Sequence, residues 1–312
     1  MRTADRAFEA VVILALAASA LLVALLAVLL PRGVALVSGA AADSASLVAL
    51  LVLGLATLGV TLGLTSVCRQ VLATLALIRS LLARTIALPQ RVTEVAGALG
   101  LSGRVDLVAD RRPFSFCYWF RRPRICLSTG LIQRLTDDEL RAVLLHERYH
   151  LRQRDPLRLV IARYFAAGLY VVPVVAELVE YYTVQKEVAA DHDAVRTLGG
   201  ARELASALFK VLPDADEVDL GLLAPVGALS VTEARIDRLL DGRAVPLVLS
   251  RASVALSGGA LAAAAVLALT NGLHAPPPSL ASLIGPASLL FAAAVVGAAH
   301  QVRLVLVRPF RS

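Results

Sequence analysis

Cysteine is scarce in this sequence, and its scarcity sets limits. The 312 residues hold three, Cys68, Cys117 and Cys126, which gives neither a disulfide framework nor a C-x-x-C pair to bind metal. Cys117 and Cys126 are placed to face each other across a hairpin, where a cross-strand core pair of reduced thiols is favoured over a bond if the region is cytosolic. Lysine is nearly missing, present only at Lys186 and Lys210, so the +7 charge is carried by arginine. That bias follows genome composition. The basic excess does not call for nucleic acid, because cytoplasmic flanks of membrane spans also collect arginine, and no direct nucleic-acid binding is expected. Charge itself is missing from long stretches. Residues 10–30, AVVILALAASALLVALLAVLL, carry none and reach the roughly 20 residues that a span needs. The apolar stretch of a signal peptide is about 7–15 residues, so an uncleaved span is the reading. Residues 47–67, 252–270 and 280–299 are further uncharged runs. With 58% hydrophobic residues and a mean hydropathy of +0.73, against about 45–50% apolar in soluble domains, four spans in two hairpins are expected.

Among these runs lies a stretch with chemistry in it. Residues 136–153, TDDELRAVLLHERYHLRQ, contain His146-Glu147-Arg148-Tyr149-His150. Residues four apart on a helix are neighbours on one face, about 5–6 Å between Cβ atoms. Both imidazoles can therefore grip one metal ion, with Glu147 at the water that metal holds, as general base. Thr136 and Glu139 form a capping box, three acids fill the first turn, and Leu140, Val143, Leu144 and Leu145 supply the buried stripe. A bare H-E-x-x-H also occurs as a solvated helix face, so context decides. After it, Asp155 can cap and Pro156 can open the next helix. Downstream, Glu187 and Asp191 again lie four apart. A catalytic zinc site has three protein ligands and one open position, so Glu187 is the third ligand. Asp191 stands behind it, hydrogen-bonding a ligand histidine.

The rest of the chain frames this centre. Residues 69–90 are apolar but interrupted by Arg79 and Arg84, which suits an interfacial or core helix. Val105–Val108 alternates like a strand, and Phe114–Phe120 with Arg124–Ser128 flank the turn Arg121-Arg122-Pro123 as a hairpin. The run FSFCYWF is either an ordinary hydrophobic strand or an edge strand that pairs with an extended substrate. Leu157–Glu180 is apolar but broken by Arg158, Arg163, Pro173 and Glu177, so a core or re-entrant helical hairpin is expected. Residues 201–243 are a polar helical stretch, and His274 and His300 are incidental. The resulting division is a transmembrane hairpin at 1–68, a metallopeptidase domain at 69–248 and a second hairpin at 249–312. Arg2, Arg6, Arg69, Arg79, Arg243, Arg251, Arg303, Arg308 and Arg311 flank one side of the spans, and only Arg32 the other. The positive-inside rule places both termini and the metal domain in the cytoplasm.

The run RRPRICLSTGLIQRLTDDELRAVLLHERYHLRQRDP, followed by KEVAADHDAV, resembles the BlaR/MecR-type membrane metallopeptidases, the antirepressor peptidases of bacteria, and more distantly HtpX and the CAAX-prenyl endopeptidases. The likeness covers roughly residues 105–240. It implies an α+β, mainly helical protein of the bacterial inner membrane, with a zincin-like domain (a small sheet plus the HExxH helix) between two hairpins. It implies a gluzincin with Zn2+ on His146, His150 and Glu187, Glu147 as base and Asp191 behind a ligand. TEARIDRLL is similar to a segment that brings an arginine towards the active site, so Arg235 is either an electrostatic stabiliser or half of a helix salt bridge. Arg235, Tyr149 and a backbone amide are alternative oxyanion donors. Prenyl-type relatives place a histidine before that arginine, where Leu229 and Ser230 stand here, and Tyr170-Val171-Val172-Pro173 replaces the aromatic-Asn-Pro of sensor members. No penicillin-binding domain follows the last span, so β-lactam sensing is not expected. The expected partners are the lipid bilayer and a protein substrate, a cytosolic transcriptional repressor in one reading and damaged membrane proteins in another. A scaffold without activity is the third, and both monomer and homodimer stay open.

Overall fold

The computed structural model describes residues 2–39, 44–119, 122–211, 246–272 and 280–306. The architecture is α+β and mainly helical. In chain order it runs α1 (Arg2–Val37), α2 (Ser44–Leu82), β1 (Thr85–Ile86), α3 (Gln90–Ala98), β2 (Val105–Val108), β3 (Ser115–Tyr118) and β4 (Arg124–Ser128). There follow α4 (Thr129–Arg134), α5 (Asp137–Gln153), α6 (Asp155–Gly168), α7 (Val174–Leu198), α8 (Arg202–Val211), α9 (Arg251–Gly272) and α10 (Leu280–Leu306). The chain divides into two units, one of Met1–Asp5, Gln70–Ile161 and Tyr182–Pro246, the other of Arg6–Arg69, Ala162–Tyr181 and Leu247–Ser312.

The first unit is built on a four-stranded sheet ordered β1-β2-β4-β3. β2 and β4 pair in parallel, and β3 returns antiparallel on β4, the hairpin expected from the Arg122-Pro123 turn. Arg124 ties three strands together. Its guanidinium donates to Asp106 at 2.5 and 2.6 Å and to Gly103 O at 2.8 Å, while the Tyr118 hydroxyl donates to the same carboxylate. Burial pushes Asp106 up, but Arg124 and Tyr118 hold its carboxyl below the usual range. Alternation along the strands divides the core. Val105, Leu107, Ile125 and Leu127 face α5, whereas Val108, Phe114, Tyr118 and Cys126 face Ile78 and Leu81 of α2. The hairpin register pairs Cys117 with Ile125 and Cys126 with Phe116. The two thiols therefore lie on opposite faces of the sheet and do not meet, which corrects the cross-strand pair expected from sequence.

Helix α5 lies on the sheet because its apolar stripe recurs at helical spacing, with Leu140, Leu144 and Leu145 fully buried. The capping box is present: Thr136 Oγ1 accepts from Glu139 N, and Glu139 Oε2 accepts from Thr136 N at 2.8 Å. Glu139 also accepts from Ser206 at 2.5 Å and Lys210 at 2.7 Å of α8. Burial raises its pKa, but these donors outweigh it and lower the carboxyl to about 2. At the far end Arg154 turns left-handed, with φ 54°, and its N–H closes on His150 O. That turn ends α5 and starts α6.

The second unit is apolar. Among the described residues three helices are long and apolar enough to cross a membrane, Thr3–Val37, Ser46–Leu82 and Arg251–Thr270, and a shorter apolar stretch follows at Ile284–Ala299. Ile13, Leu16, Val23, Leu58, Leu269 and Phe291 are exposed along them, the surface that lipid covers in a membrane protein. The second run does not stop at Arg69: α2 continues unbroken to Leu82, because neither glycine nor proline interrupts Cys68–Leu82. Leu157–Glu180 forms the expected helical hairpin, α6 and α7 joined around Pro173. Leu169, Val172 and Val175 pack with Ala15 and Ala18 of α1, and Ser257 Oγ of α9 accepts from Val174 N at 3.1 Å. Small residues permit close approach. A Cβ on Gly59 would meet Gly168 O at 2.5 Å, and one on Gly297 would meet Tyr170 O at 1.8 Å.

Candidate metal centre

Helices α5 and α7 bring three ligand atoms to one point. His146 Nε2 and His150 Nε2 are 3.0 Å apart, and Glu187 Oε2 lies 3.4 and 3.5 Å from them. His146 and His150 are each 7% exposed, so water does not screen the cluster. The rings meet edge to face, at 77°.

The hydrogen bonds behind the rings decide what can sit between them. His146 Nδ1 is 2.9 Å from Asp191 Oδ1, and His150 Nδ1 is 2.6 Å from Asp155 Oδ2. Each carboxylate accepts from Nδ1–H, which fixes the ring proton there and leaves a lone pair on the Nε2 of the neutral ring. With both rings neutral, two lone pairs and a carboxylate oxygen converge, an arrangement that a cation satisfies. The local field has the same sign. Burial alone would lower the pKa of His150, yet the charge of Glu187 and the hydrogen bond that Nδ1 donates to Asp155 raise it to about 10. Burial pushes Glu187 up, but Lys186 and His150 hold it well below the usual carboxylate range. The donor set of two imidazole nitrogens and one carboxylate oxygen is that of a zinc site with an open position.

Other groups surround the cluster. Glu147 is 5% exposed, and its Oε1 accepts from Ser115 Oγ of β3 at 2.8 Å. Lys186 Nζ donates to Glu187 Oε1 at 2.6 Å, leaving Oε2 for the histidine side. Burial, then the charge of Glu147, pushes the Cys117 thiol up, and burial raises Cys126 to about 12. Neither is a thiolate at neutral pH. Tyr149 is 4% exposed, in an apolar cluster with Ala4, Ala189 and Ala190. Arg235, His274 and the TEARIDRLL segment lie outside the described residues.

Of the residues singled out in sequence, the structure thus brings His146, His150, Glu187 and Asp191 together, with Glu147 beside His146 on α5. Three others escaped notice. Asp155 was assigned a capping role, but the left-handed turn at Arg154 swings its carboxylate under His150 instead. Ser115 is far from Glu147 in sequence and carries no local signal. Lys186 is one of two lysines in an arginine-rich chain, a signal that could have drawn attention.

The model of the family described as BlaR1 peptidase M56 matches residues 38–239, which include every residue of the cluster. The chain belongs to the BlaR1 peptidase M56 family. M56 is a family of metallopeptidases, in keeping with a donor set that calls for a cation. This M56 member is also similar to a protease HtpX homolog from Moorella thermoacetica (strain ATCC 39073 / JCM 9320), 30% identical over 145 aligned positions, which cover 35% of this chain and 48% of the relative. The chain thus spans about half the length of that curated relative.

The carboxylate behind His150 provides a direct test of the cluster. Replacing Asp155 with Ala removes the acceptor that fixes the His150 proton on Nδ1, and metal affinity is expected to fall about 10–100-fold. Competition against a chromophoric chelator measures it. Unchanged affinity would remove Asp155 from the site.

Proposed function

We propose that this chain is a zinc-dependent endopeptidase of the bacterial inner membrane. The convergence of His146 Nε2, His150 Nε2 and Glu187 Oε2, with Glu147 buried beside them, carries this reading. His146, His150 and Glu187 would hold a zinc ion, which when bound would supply Lewis acidity, lowering the pKa of water towards about 7 and polarising a carbonyl. Glu147 takes the proton of the attacking water and passes it to the leaving amine. Ser115 holds the other face of that role by donating to Glu147 Oε1, which aims the carboxylate. Asp191 and Asp155 keep both imidazoles in the metal-binding tautomer. β3 ends the sheet order and has no second strand partner among the described residues, so an extended substrate pairs along it by β-augmentation. Arg235 is the proposed electrostatic stabiliser, since it lies within the family match. An inactive scaffold has no use for a buried glutamate held in this position.

The substrate in this reading is a cytosolic repressor, cleaved by a domain over residues 69–248 that faces the cytoplasm between two hairpins. The similarity to the protease HtpX homolog favours a second reading, a protease that clips membrane proteins. Comparing cell proteins with wild-type enzyme and with Glu147→Gln separates the two. One stabilised repressor with altered transcription supports regulation. Broad accumulation of membrane proteins with no repressor change supports the second.

The orientation has its own test. With native cysteines removed, single cysteines at Asp43 and His274 are expected to react with an impermeant thiol reagent on whole cells. Labelling at Asp137 but not at those two positions would invert the topology.

A further inference from the structure

The C-terminal end of β3 runs into a groove of about 1140 Å³ lined by Arg104, Trp119, Arg122, Arg124, Arg152 and Arg154. Four separate segments supply them: the loop entering β2, the residue after β3, the turn into β4 with its first residue, and the end of α5. Arg124 is committed to Asp106. Arg104, Arg122, Arg152 and Arg154 are exposed and have no acidic partner among the described residues. Cations gathered on one concave surface repel one another and raise the local potential for an anion.

An arginine-rich chain will show arginine on its surface wherever it is solvated, so number alone decides nothing. Position does. Arg152 and Arg154 follow His150 directly at the end of the helix that holds both histidines. Trp119 lies four residues beyond Ser115, whose hydroxyl holds Glu147. At about 3.3 Å per residue, that is roughly 13 Å along the strand. Trp119 is also 39% exposed and has φ 66°, a conformation that a bulky side chain rarely adopts. The backbone departs from strand geometry where the aromatic ring enters the groove.

We propose that this groove is a specificity subsite for acidic side chains of the protein substrate, on the N-terminal side of the cleaved bond. The proposal rests on the reading of β3 as the strand along which substrate pairs. A chain antiparallel to β3 runs from the groove towards Glu147, so residues about four positions before the scissile bond reach the arginines. Planar guanidinium forks match carboxylates, and Trp119 offers an apolar wall against which such a pair is partly desolvated. A lipid phosphate could also satisfy arginine, but the alignment with β3 and α5 favours a peptide.

The test uses full-length protein in phosphatidylcholine nanodiscs and a mixed peptide library, with cleavage sites mapped by mass spectrometry. Asp and Glu are expected to be enriched about tenfold three to five residues before the cleaved bond, an effect that weakens as salt rises. The reversal variant Arg152→Glu/Arg154→Glu is expected to move the enrichment to Lys and Arg. The milder Arg122→Gln/Arg152→Gln variant is expected to abolish it. Cleavage without acidic enrichment would overturn the subsite and leave the peptidase reading standing. If no peptide is cut, binding to the Glu147→Gln protein decides, read by anisotropy of a labelled Asp-rich peptide and its Asn-rich counterpart. About tenfold tighter binding of the acidic peptide, lost in both groove variants, supports the groove even if the peptidase reading fails. Equal binding overturns it, as does groove-dependent retention of phosphatidylglycerol without peptide discrimination.

Discussion

Glu147→Gln is expected to lower kcat for peptide hydrolysis by about 10⁴, the upper end of what a positioned general base supplies, with metal content unchanged. The substitution keeps the shape of the side chain and an amide oxygen that can accept from Ser115 Oγ, now 2.8 Å from Glu147 Oε1. What it removes is the capacity to take a proton. None of the three converging ligand atoms belongs to Glu147, so metal analysis of the purified variant should match wild type. A variant that keeps more than about a tenth of wild-type kcat would mean that another group takes the proton. Loss of metal together with activity would mean that Glu147 belongs to the ligand set.

The second large effect falls on metal binding itself. Wild-type protein is expected to hold one zinc per chain, and Glu187→Ala to lose it, with affinity lowered by well over the roughly 100-fold that an outer hydrogen-bond partner contributes. The reason is partly geometric, since two imidazoles remain where three donors converged. It is also electrostatic, because Glu187 is the leading source of the field that raises His150 against its burial. Glu187→Gln keeps the volume and removes the charge, so it should fall between wild type and Ala. Far-UV circular dichroism distinguishes metal loss from unfolding. Full zinc occupancy in a His146→Ala, His150→Ala double variant would sink the site altogether.

What could be read without the structure was local. The pairs His146/His150 and Glu187/Asp191 are each four residues apart within one helix, and helical periodicity alone puts each pair on one face. The capping box of α5 is an exchange of bonds across four residues, and the apolar runs of α1, α2 and α9 follow from composition. The β3–β4 hairpin was visible because its turn and its strands are contiguous. These features depend on backbone geometry that repeats wherever the chain adopts it.

Everything that relates one element to another waited for the fold. Ser115 meets Glu147 because β3 is the strand at the sheet's edge that passes α5, a consequence of the order β1-β2-β4-β3. Asp155 reaches His150 because Arg154 is left-handed, a conformation uncommon for residues other than glycine and so not anticipated from the sequence. Cys117 and Cys126 were misplaced for a related reason: a shift of one residue in register moves a side chain to the other face of a sheet, and no pattern in the hairpin sequence specified that shift. The arginines of the groove come from three segments, and no periodicity links them. The residues of the candidate metal centre were therefore determined by the sequence through spacing within helices. The proton placement on its histidines, the aim of its glutamate and the charge at the end of its edge strand were decided by tertiary structure, because they depend on how separate elements are registered and turned against one another.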